Sequence, residues 1–331
     1  MVASKLIGAI SALVEEKIAL FLWGSPGVGK SSIVREVAKT KGLEVLDLRL
    51  SLLDPTDLKG IPFLDKDARS AIWAPPSFLP RSGKGILFLD ELNSAPPSVQ
   101  AAAYQLILDR RVGEYALPDE WAIIAAGNLE SDRAFTYKLP SALANRFVHF
   151  EMEVDALEWR SWAFKSGVDP RIIAYIDSKN EHLFSFDPAS NAKSFATPRS
   201  WEAVSKILKS GIDESLLLGS IAGAVGREIA VSFLSFVLVM ESLPDPKAIL
   251  NGSEKMQCSD ASQLFVLISL LVSTYLADPS KEALANLLSY SLDLKSEFSL
   301  KLVRDLQNSG VNLEKEELFG KWCDKFSYLL T

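Results

Sequence analysis

The sequence predicts an α/β fold with a mostly parallel sheet in its first half and helices in its second half. Strand and helix signals alternate up to about residue 153, beginning with the apolar run from Ile18 to Trp23 and a helical stripe that ends at Gly42. The run from Ile86 to Leu89 is apolar without interruption, which is typical of a strand buried on both faces of a parallel sheet. After Met152, apolar residues recur at helical spacing and no alternating strand pattern returns. We therefore expect a sheet covered by helices, followed by a helical region.

The other elements of the first half follow in order. Apolar residues three and four apart between Leu6 and Val14 predict a first helix, and the alternation from Leu46 to Leu50 predicts a strand with one polar face. Pro96 and Pro97 open a helix that runs to about Asp109, because proline is tolerated in a first turn. Further strand segments, the first of them a hairpin around Gly113, are predicted at Arg111 to Leu117, Trp121 to Ala126 and Phe147 to Met152.

Composition and charge disfavour several classes of protein. The chain has 331 residues and a formal net charge of -7, which opposes the wrapping of a nucleic-acid backbone by clustered basic residues. Cys258 and Cys323 lie far apart, so a disulfide framework or a cysteine metal site is not expected. The first residues lack the pattern of a secretory signal, and the longest apolar tracts are shorter than the roughly 20 residues of a membrane-spanning helix. We expect a cytoplasmic protein without a membrane span.

A glycine-rich motif stands between a predicted strand and a predicted helix. The run Gly24-Ser25-Pro26-Gly27-Val28-Gly29-Lys30-Ser31 fits the pattern GxxxxGK[ST] in the context that this motif requires. Its glycines let backbone N–H groups surround phosphates, Lys30 reaches the β and γ oxygens, and Ser31 ligates magnesium. We predict that ATP and Mg²⁺ bind here. The residues predicted to hold them are Gly24, Ser25, Pro26, Gly27, Val28, Gly29, Lys30, Ser31, Ser32 and Asp90.

Two acids end the buried strand that starts at Ile86. Asp90 and Glu91 fall at the carboxyl edge of the sheet, where open α/β folds bind ligands. Asp90 is predicted to hold magnesium together with Ser31, and Glu91 to polarise the attacking water. Taken alone, the pair is equally compatible with a strand leaving the core. Beside a phosphate loop, it favours phosphoryl transfer, which needs both groups near one γ-phosphate.

Five motifs come in the order seen in MoxR-type AAA+ ATPases. They are Asp54 to Gly60, Leu89 to Asn93, Ala125 to Asn128, Leu139 to Phe147 and Thr197 to Ser200. From about Ala19 to Leu208 the chain resembles this family, in the dynein-related group that carries an insertion in its second helix. Asp54 to Gly60 looks like that insertion, although an ordinary turn is the alternative. The resemblance implies a P-loop NTPase AAA+ core, a helical lid and a helical C-terminal extension. The predicted boundaries are 1–153, 154–245 and 246–331.

The resemblance also implies roles for three polar residues. Asn128 resembles sensor 1, a side chain that orients water against the γ-phosphate, with a turn-forming asparagine as the alternative. Arg146 resembles the arginine finger that one subunit offers to the next, with a helix-end cation as the alternative. Arg199 resembles sensor 2, which opens a lid helix and acts on the nucleotide of its own or of a neighbouring subunit. Ser94 stands where many relatives carry arginine, so that contact is not carried over.

The expected activity is ATP hydrolysis, with Glu91, Asn128, Arg146 and Arg199 as catalytic residues. The resemblance implies a homo-oligomeric ring, a hexamer, that remodels or activates a protein partner, for which a protein with a von Willebrand factor A domain is a candidate. A nucleic-acid motor or loader on the same core is the first alternative, and a nucleotide-switched scaffold with little turnover is the second. The acidic net charge disfavours the motor.

Overall fold

The computed structural model describes most of the chain and divides it into two units. The described residues are 1–65, 70–132, 136–190, 192–241, 243, 245–253 and 261–326. Cys258 lies outside them. One unit comprises Met1–Asp155 and Asp187–Asn191, and the other comprises Ala156–Phe186 and Ala192–Thr331. Residues on both sides of position 245 belong to this second unit, and the boundary expected there stays a prediction.

The first unit is built on a five-stranded parallel sheet. Its strands are β1 (Leu20–Trp23), β2 (Glu44–Arg49), β5 (Gly85–Asp90), β8 (Trp121–Gly127) and β9 (Val148–Glu151), in the order β2-β5-β8-β1-β9. All neighbouring pairs are parallel. Every residue of β5 and β8 is buried, as expected for central strands with helices over both faces. This arrangement confirms the predicted α/β core.

Helices of the first unit cover the sheet on both faces. They are α1 (Ala3–Glu15), α2 (Lys30–Lys41), α3 (Pro55–Lys59), α4 (Pro97–Asp109) and α5 (Ser141–Ala144). Successive strand residues point to opposite faces. Leu20 and Leu22 of β1 accordingly pack in one apolar cluster with α1 and α2, while Phe21 packs in another with α4. The sheet is therefore held between two separate cores.

Two antiparallel hairpins lie outside this sheet. One is β6 (Arg111–Val112) with β7 (Tyr115–Ala116), which the sequence predicts. The other, β3 (Ile61–Asp65) with β4 (Ser70–Ala74), is not predicted. It follows α3, where Asp54 and Asp57 form a capping box, so the stretch from Asp54 to Gly60 is a capped helical turn. Gly60 has φ 85°, and a Cβ there would lie 2.0 Å from the Ala74 carbonyl oxygen, so a side chain would disrupt the hairpin.

The second unit consists of helices, and its described residues contain no strand. The helices are α6 (Ala156–Lys165), α7 (Pro170–Ser178), α8 (Pro198–Lys209), α9 (Glu214–Val225), α10 (Arg227–Glu241), α11 (Pro246–Leu250), α12 (Ala261–Ala277), α13 (Lys281–Asp293), α14 (Ser296–Asn308) and α15 (Glu317–Phe326). This confirms the predicted helical second half. Within the described residues, no helix is both long enough and apolar enough to cross a membrane.

Candidate active site

The glycine-rich motif forms the turn between β1 and α2. Gly27 and Gly29 have φ of 79° and 108°, left-handed values that residues with a Cβ rarely adopt. Gly29 is the N-cap of α2, so the first backbone N–H groups of this twelve-residue helix face the loop. A Cβ on Gly24 would lie 3.3 Å from the Met152 carbonyl oxygen, so the start of the loop is packed tightly against the end of β9. Such a turn provides N–H donors and a positive helix end for phosphate.

Lys30 joins the loop to the end of β8. Its Nζ donates hydrogen bonds to the carbonyl oxygens of Gly24 and Ser25, the latter at 3.1 Å, and to Asn128 Oδ1 at 3.3 Å. Asn128 directly follows β8, which pairs with β1 in the sheet. The structure thus brings together two residues that the sequence separates by 98 positions. The ammonium group lies over the loop, where it can contact phosphate oxygens.

Ser31 and Asp90 meet beside this lysine. The Ser31 hydroxyl donates to Asp90 Oδ2 at 3.4 Å, and Asp90 is only 9% exposed. Burial raises the pKa of the Asp90 carboxyl, Asp47 and Glu91 add to the increase, and the Glu91 backbone N–H and Lys30 oppose it. A hydroxyl and a carboxylate are the hard oxygen ligands that suit Mg²⁺. The pair therefore fits a magnesium ion, although the described residues contain no group of three His, Cys, Asp or Glu that could hold a metal alone.

Glu91 has a strained backbone and two polar neighbours. Its φ is 58°, a left-handed value that is uncommon for a residue with a side chain and is typical of functional sites. The carboxylate accepts a hydrogen bond from the Ser51 hydroxyl, and its other oxygen lies 3.7 Å from Arg49 Nε. Arg49 ends β2, which pairs with β5, and Ser51 lies in the 3-10 turn that follows β2. The β2–β5 register places Arg49 opposite Asp90.

The chain is similar to several known proteins. Residues 19–149 match the model of the ATPase family associated with various cellular activities (AAA). Protein MoxR of Methylorubrum extorquens is 27% identical over 64% of this chain and 68% of its own length. Protein MoxR of Paracoccus denitrificans is 30% identical over 44% of this chain and 43% of its own length, so the match spans less than half of that relative.

These matches support a MoxR-type AAA+ ATPase. The resemblance to MoxR-type AAA+ ATPases is thereby confirmed, while the dynein-related group and its insertion in the second helix stay predictions. Among solved structures, a point mutant of RuvB from Thermotoga maritima matches 85% of each chain at 17% identity, with a TM-score of 0.40.

The sequence pattern alone indicates no role for Asn93, which fixes the backbone of Asn128 in the structure. Asn93 Nδ2 donates to the Asn128 carbonyl oxygen at 2.8 Å, and the Asn128 N–H donates to Asn93 Oδ1 at 3.2 Å. The side chain is 1% exposed, and a Cβ on Gly127 would lie 2.4 Å from Asn93 Oδ1. This glycine is therefore needed where β8 ends. An asparagine three residues after Asp90 was the available signal, but only the fold shows its partner.

The sequence pattern alone also indicates no role for Arg49, Ser51 and Asp132. Arg49 and Ser51 contact Glu91, and the Asp132 carboxylate accepts a hydrogen bond from the Ser25 hydroxyl of the phosphate loop at 3.1 Å. Arg49 is the charged last residue of β2, and such a residue at the end of a strand is a pattern that the sequence offers. Ser51 and Asp132 lie in short 3-10 turns and carry no comparable pattern.

Two arginines assigned by resemblance have different positions. Arg146 is exposed in the turn between α5 and β9, where its backbone N–H donates to the Leu143 carbonyl oxygen at 3.1 Å. No hydrogen bond or ion pair recorded for the described residues joins its side chain to the phosphate loop. Arg199 is exposed in the first turn of α8, whose N-terminus Thr197 and Ser200 cap. It belongs to the second unit, and its role stays a prediction.

Proposed function

We propose that this chain binds ATP with Mg²⁺ at the 24–31 loop and hydrolyses it. One observation carries the proposal. Lys30 contacts Asn128 and the next residue, Ser31, contacts Asp90, so the ends of β8 and β5 meet at the phosphate loop that follows β1. Lys30 binds the β- and γ-phosphates, Glu91 accepts a proton from the attacking water, and Asn128 orients that water. When bound at Ser31 and Asp90, magnesium supplies positive charge against the phosphate oxygens.

Two variants separate binding from chemistry. Lys30→Ala removes the cation on the phosphates, so ATP binding should disappear. Glu91→Gln keeps the shape of the side chain and removes the base, so it should bind ATP and fail to hydrolyse it. Isothermal titration gives the affinity and phosphate release gives turnover. Equal loss of ATP binding in both variants would show that these roles are assigned incorrectly.

The active form is proposed to be a ring, a hexamer, in which Arg146 acts on the nucleotide of the adjacent subunit. Support comes from its exposed position in the first unit and from the similarity of the chain to MoxR-type AAA+ ATPases. Light scattering should show assembly with ATP or a slowly hydrolysed analogue. A monomer at all concentrations that nevertheless turns over at the full rate would contradict the ring.

Turnover is proposed to remodel or activate a protein partner in the cytoplasm, with a von Willebrand factor A domain protein as a candidate. The net charge of -7 disfavours a nucleic-acid substrate. Glu91→Gln should retain ATP and hold the partner long enough for affinity purification, whereas Lys30→Ala should not. If no protein co-purifies under any nucleotide condition, the remodelling proposal fails. Stimulation of turnover by DNA would favour a nucleic-acid motor instead.

A further inference from the structure

Asp132 is a buried acid beside the phosphate loop to which the proposed chemistry gives no task. It ends the short 3-10 turn Glu130–Asp132 and is 7% exposed. One carboxylate oxygen accepts the hydrogen bond from Ser25. The other is buried and has no hydrogen-bond partner among the residues that the structure describes. A buried carboxylate oxygen without a hydrogen bond reduces stability, so its presence calls for a functional explanation.

Asp132 lies four residues after Asn128, on the segment that leaves β8. This segment meets the phosphate loop at two points. Lys30 donates to the Asn128 side chain at 3.3 Å, and Ser25 donates to Asp132 at 3.1 Å. Asn93 holds the Asn128 backbone from the side of β5. The Ser25–Asp132 hydrogen bond is thus the second direct link between the loop and the segment that carries Asn128.

We propose that Asp132 is a positioning residue that holds the Asn128 segment against the phosphate loop through the Ser25 hydroxyl. Asp132 acts through Ser25 and does not touch the nucleotide. This inference rests on the proposed ATP hydrolysis. Loss of the hydrogen bond should disturb the orientation of the attacking water more than the binding of phosphates, because Lys30 and the loop N–H groups remain in place.

The test is a double-mutant cycle on Ser25 and Asp132. In Ser25→Ala and in Asp132→Ala, kcat should fall on the order of tenfold, the value of one hydrogen bond to a charged group, while the ATP dissociation constant stays within about twofold. The double variant should be no slower than either single variant, because both remove the same interaction. Asp132→Asn keeps an oxygen that can accept from Ser25, so it should keep most of the turnover. Glu130→Ala is the matched control, since this exposed acid lies two residues earlier on the same turn.

Three results would overturn the proposal. One is a double variant whose losses add, and another is an Asp132→Asn variant as slow as Asp132→Ala. The third is that, in Ser25→Ala and Asp132→Ala, ATP affinity and turnover fall equally and the unfolding temperature drops. That result would show that the hydrogen bond only stabilises the fold. Should Asp132→Ala fail to fold, Ser25→Ala and Asp132→Asn carry the same contrast. Absence of turnover in the wild-type protein would instead contradict the proposed function, and it would be seen in the same assay.

Discussion

Asp90 and Asp132 in the first unit, and Asp177 and Asp305 in the second, are acids largely removed from water but differently partnered. In the second unit, Arg160 lies 2.8 Å from Asp305 and 3.4 Å from Asp177, and Lys301 lies 3.0 Å from Asp177 and 2.9 Å from Asp305. Two cations thus face two carboxylates. In the first unit, Asp90 has the acids Asp47 and Glu91 near it, opposed by Lys30.

The difference indicates which cluster serves structure and which serves a ligand. A buried acid that is matched by buried cations is complete within the chain, and removal of one partner leaves an uncompensated charge. Around the phosphate loop, Asp47 lies 2.7 Å from Arg35 and Glu91 lies 3.7 Å from Arg49, whereas Asp90 has no ion pair among the described residues, so we propose that a ligand completes Asp90. Glu91, one of the acids near Asp90, also has a left-handed φ of 58°.

The largest expected effect concerns Arg146, an exposed arginine that we assign to catalysis. Arg146→Ala should lower turnover by about a thousandfold with little change in ATP affinity, because an arginine finger stabilises charge that develops in the transition state. When it is mixed with Lys30→Ala subunits, which keep Arg146, activity should partly return. If co-assembly is confirmed and turnover stays at the level of the two parents, or if Arg146→Ala alone remains fully active, Arg146 is not a finger acting between subunits.

Arg160 provides the opposite case, a buried arginine that we assign to structure. Arg160→Met leaves Lys301 as the cation against two acids, one of which, Asp305, is only 2% exposed. The free energy of unfolding should fall by about 3–5 kcal/mol. The matched control is Arg304→Met, at an exposed position on α14. A loss below about 1 kcal/mol by calorimetry would show that the network contributes little.

The loss of unfolding free energy in Arg160→Met should also depend on pH. Burial raises the pKa of Asp305 even with both cations present, and removal of Arg160 raises it further. A raised carboxyl pKa lowers stability above the folded-state pKa, and this penalty disappears below the ordinary aspartate value of about 4. The destabilisation of Arg160→Met should therefore be larger at pH 7 than near pH 4. A loss independent of pH would indicate packing, and not charge, as its cause.

The strained backbone at Glu91 should change stability by less than the loss of Arg160. Glu91→Gly and Glu91→Gln both remove the carboxylate, but only glycine adopts φ 58° without strain. Glu91→Gly should therefore be more stable than Glu91→Gln by about 0.5 kcal/mol, after the greater freedom of the unfolded glycine chain is taken into account. Denaturant unfolding of the two variants measures this. Equal stability would mean that the backbone at position 91 is not strained.

The smallest effect is expected for Asp90→Asn without nucleotide. Because the folded-state pKa of Asp90 is raised, its charged form reduces stability at neutral pH, and this penalty is absent below the ordinary aspartate pKa. Asp90→Asn should therefore be slightly more stable than the wild type at pH 7 and equal to it near pH 3. If Asp90→Asn were less stable than the wild type at pH 7, Asp90 would stabilise the fold, as we infer for Asp177 and Asp305 of the second unit.

The sequence predicts most of this site because its chemistry lies in short local patterns. Lys30, Ser31, Asp90, Glu91 and Asn128 each follow a recognisable strand or loop signal, and the fold brings them together. Their roles in catalysis stay predictions.

Residues whose position depends on the strand order could not be predicted. Asn93, Ser51 and Asp132 acquire their partners only when β5 lies between β2 and β8 and when β8 pairs with β1. This order is set by contacts between distant parts of the chain. The β3–β4 hairpin escaped prediction because apolar residues such as Phe63 and Ile72 are exposed on its two strands and Trp73 is only half-buried, so no buried face produces an alternating pattern. Pro62 weakens the strand signal further.

We propose that the carboxylate of Asp90 is completed by the magnesium ion that accompanies ATP. The most direct measurement is the affinity for ATP with magnesium chloride and with EDTA, in the wild type and in Asp90→Asn. In the wild type, magnesium should tighten ATP binding, and in Asp90→Asn most of that gain should be absent while binding through Lys30 persists. The same dependence on magnesium in both proteins would show that Asp90 does not hold the ion and would contradict the account.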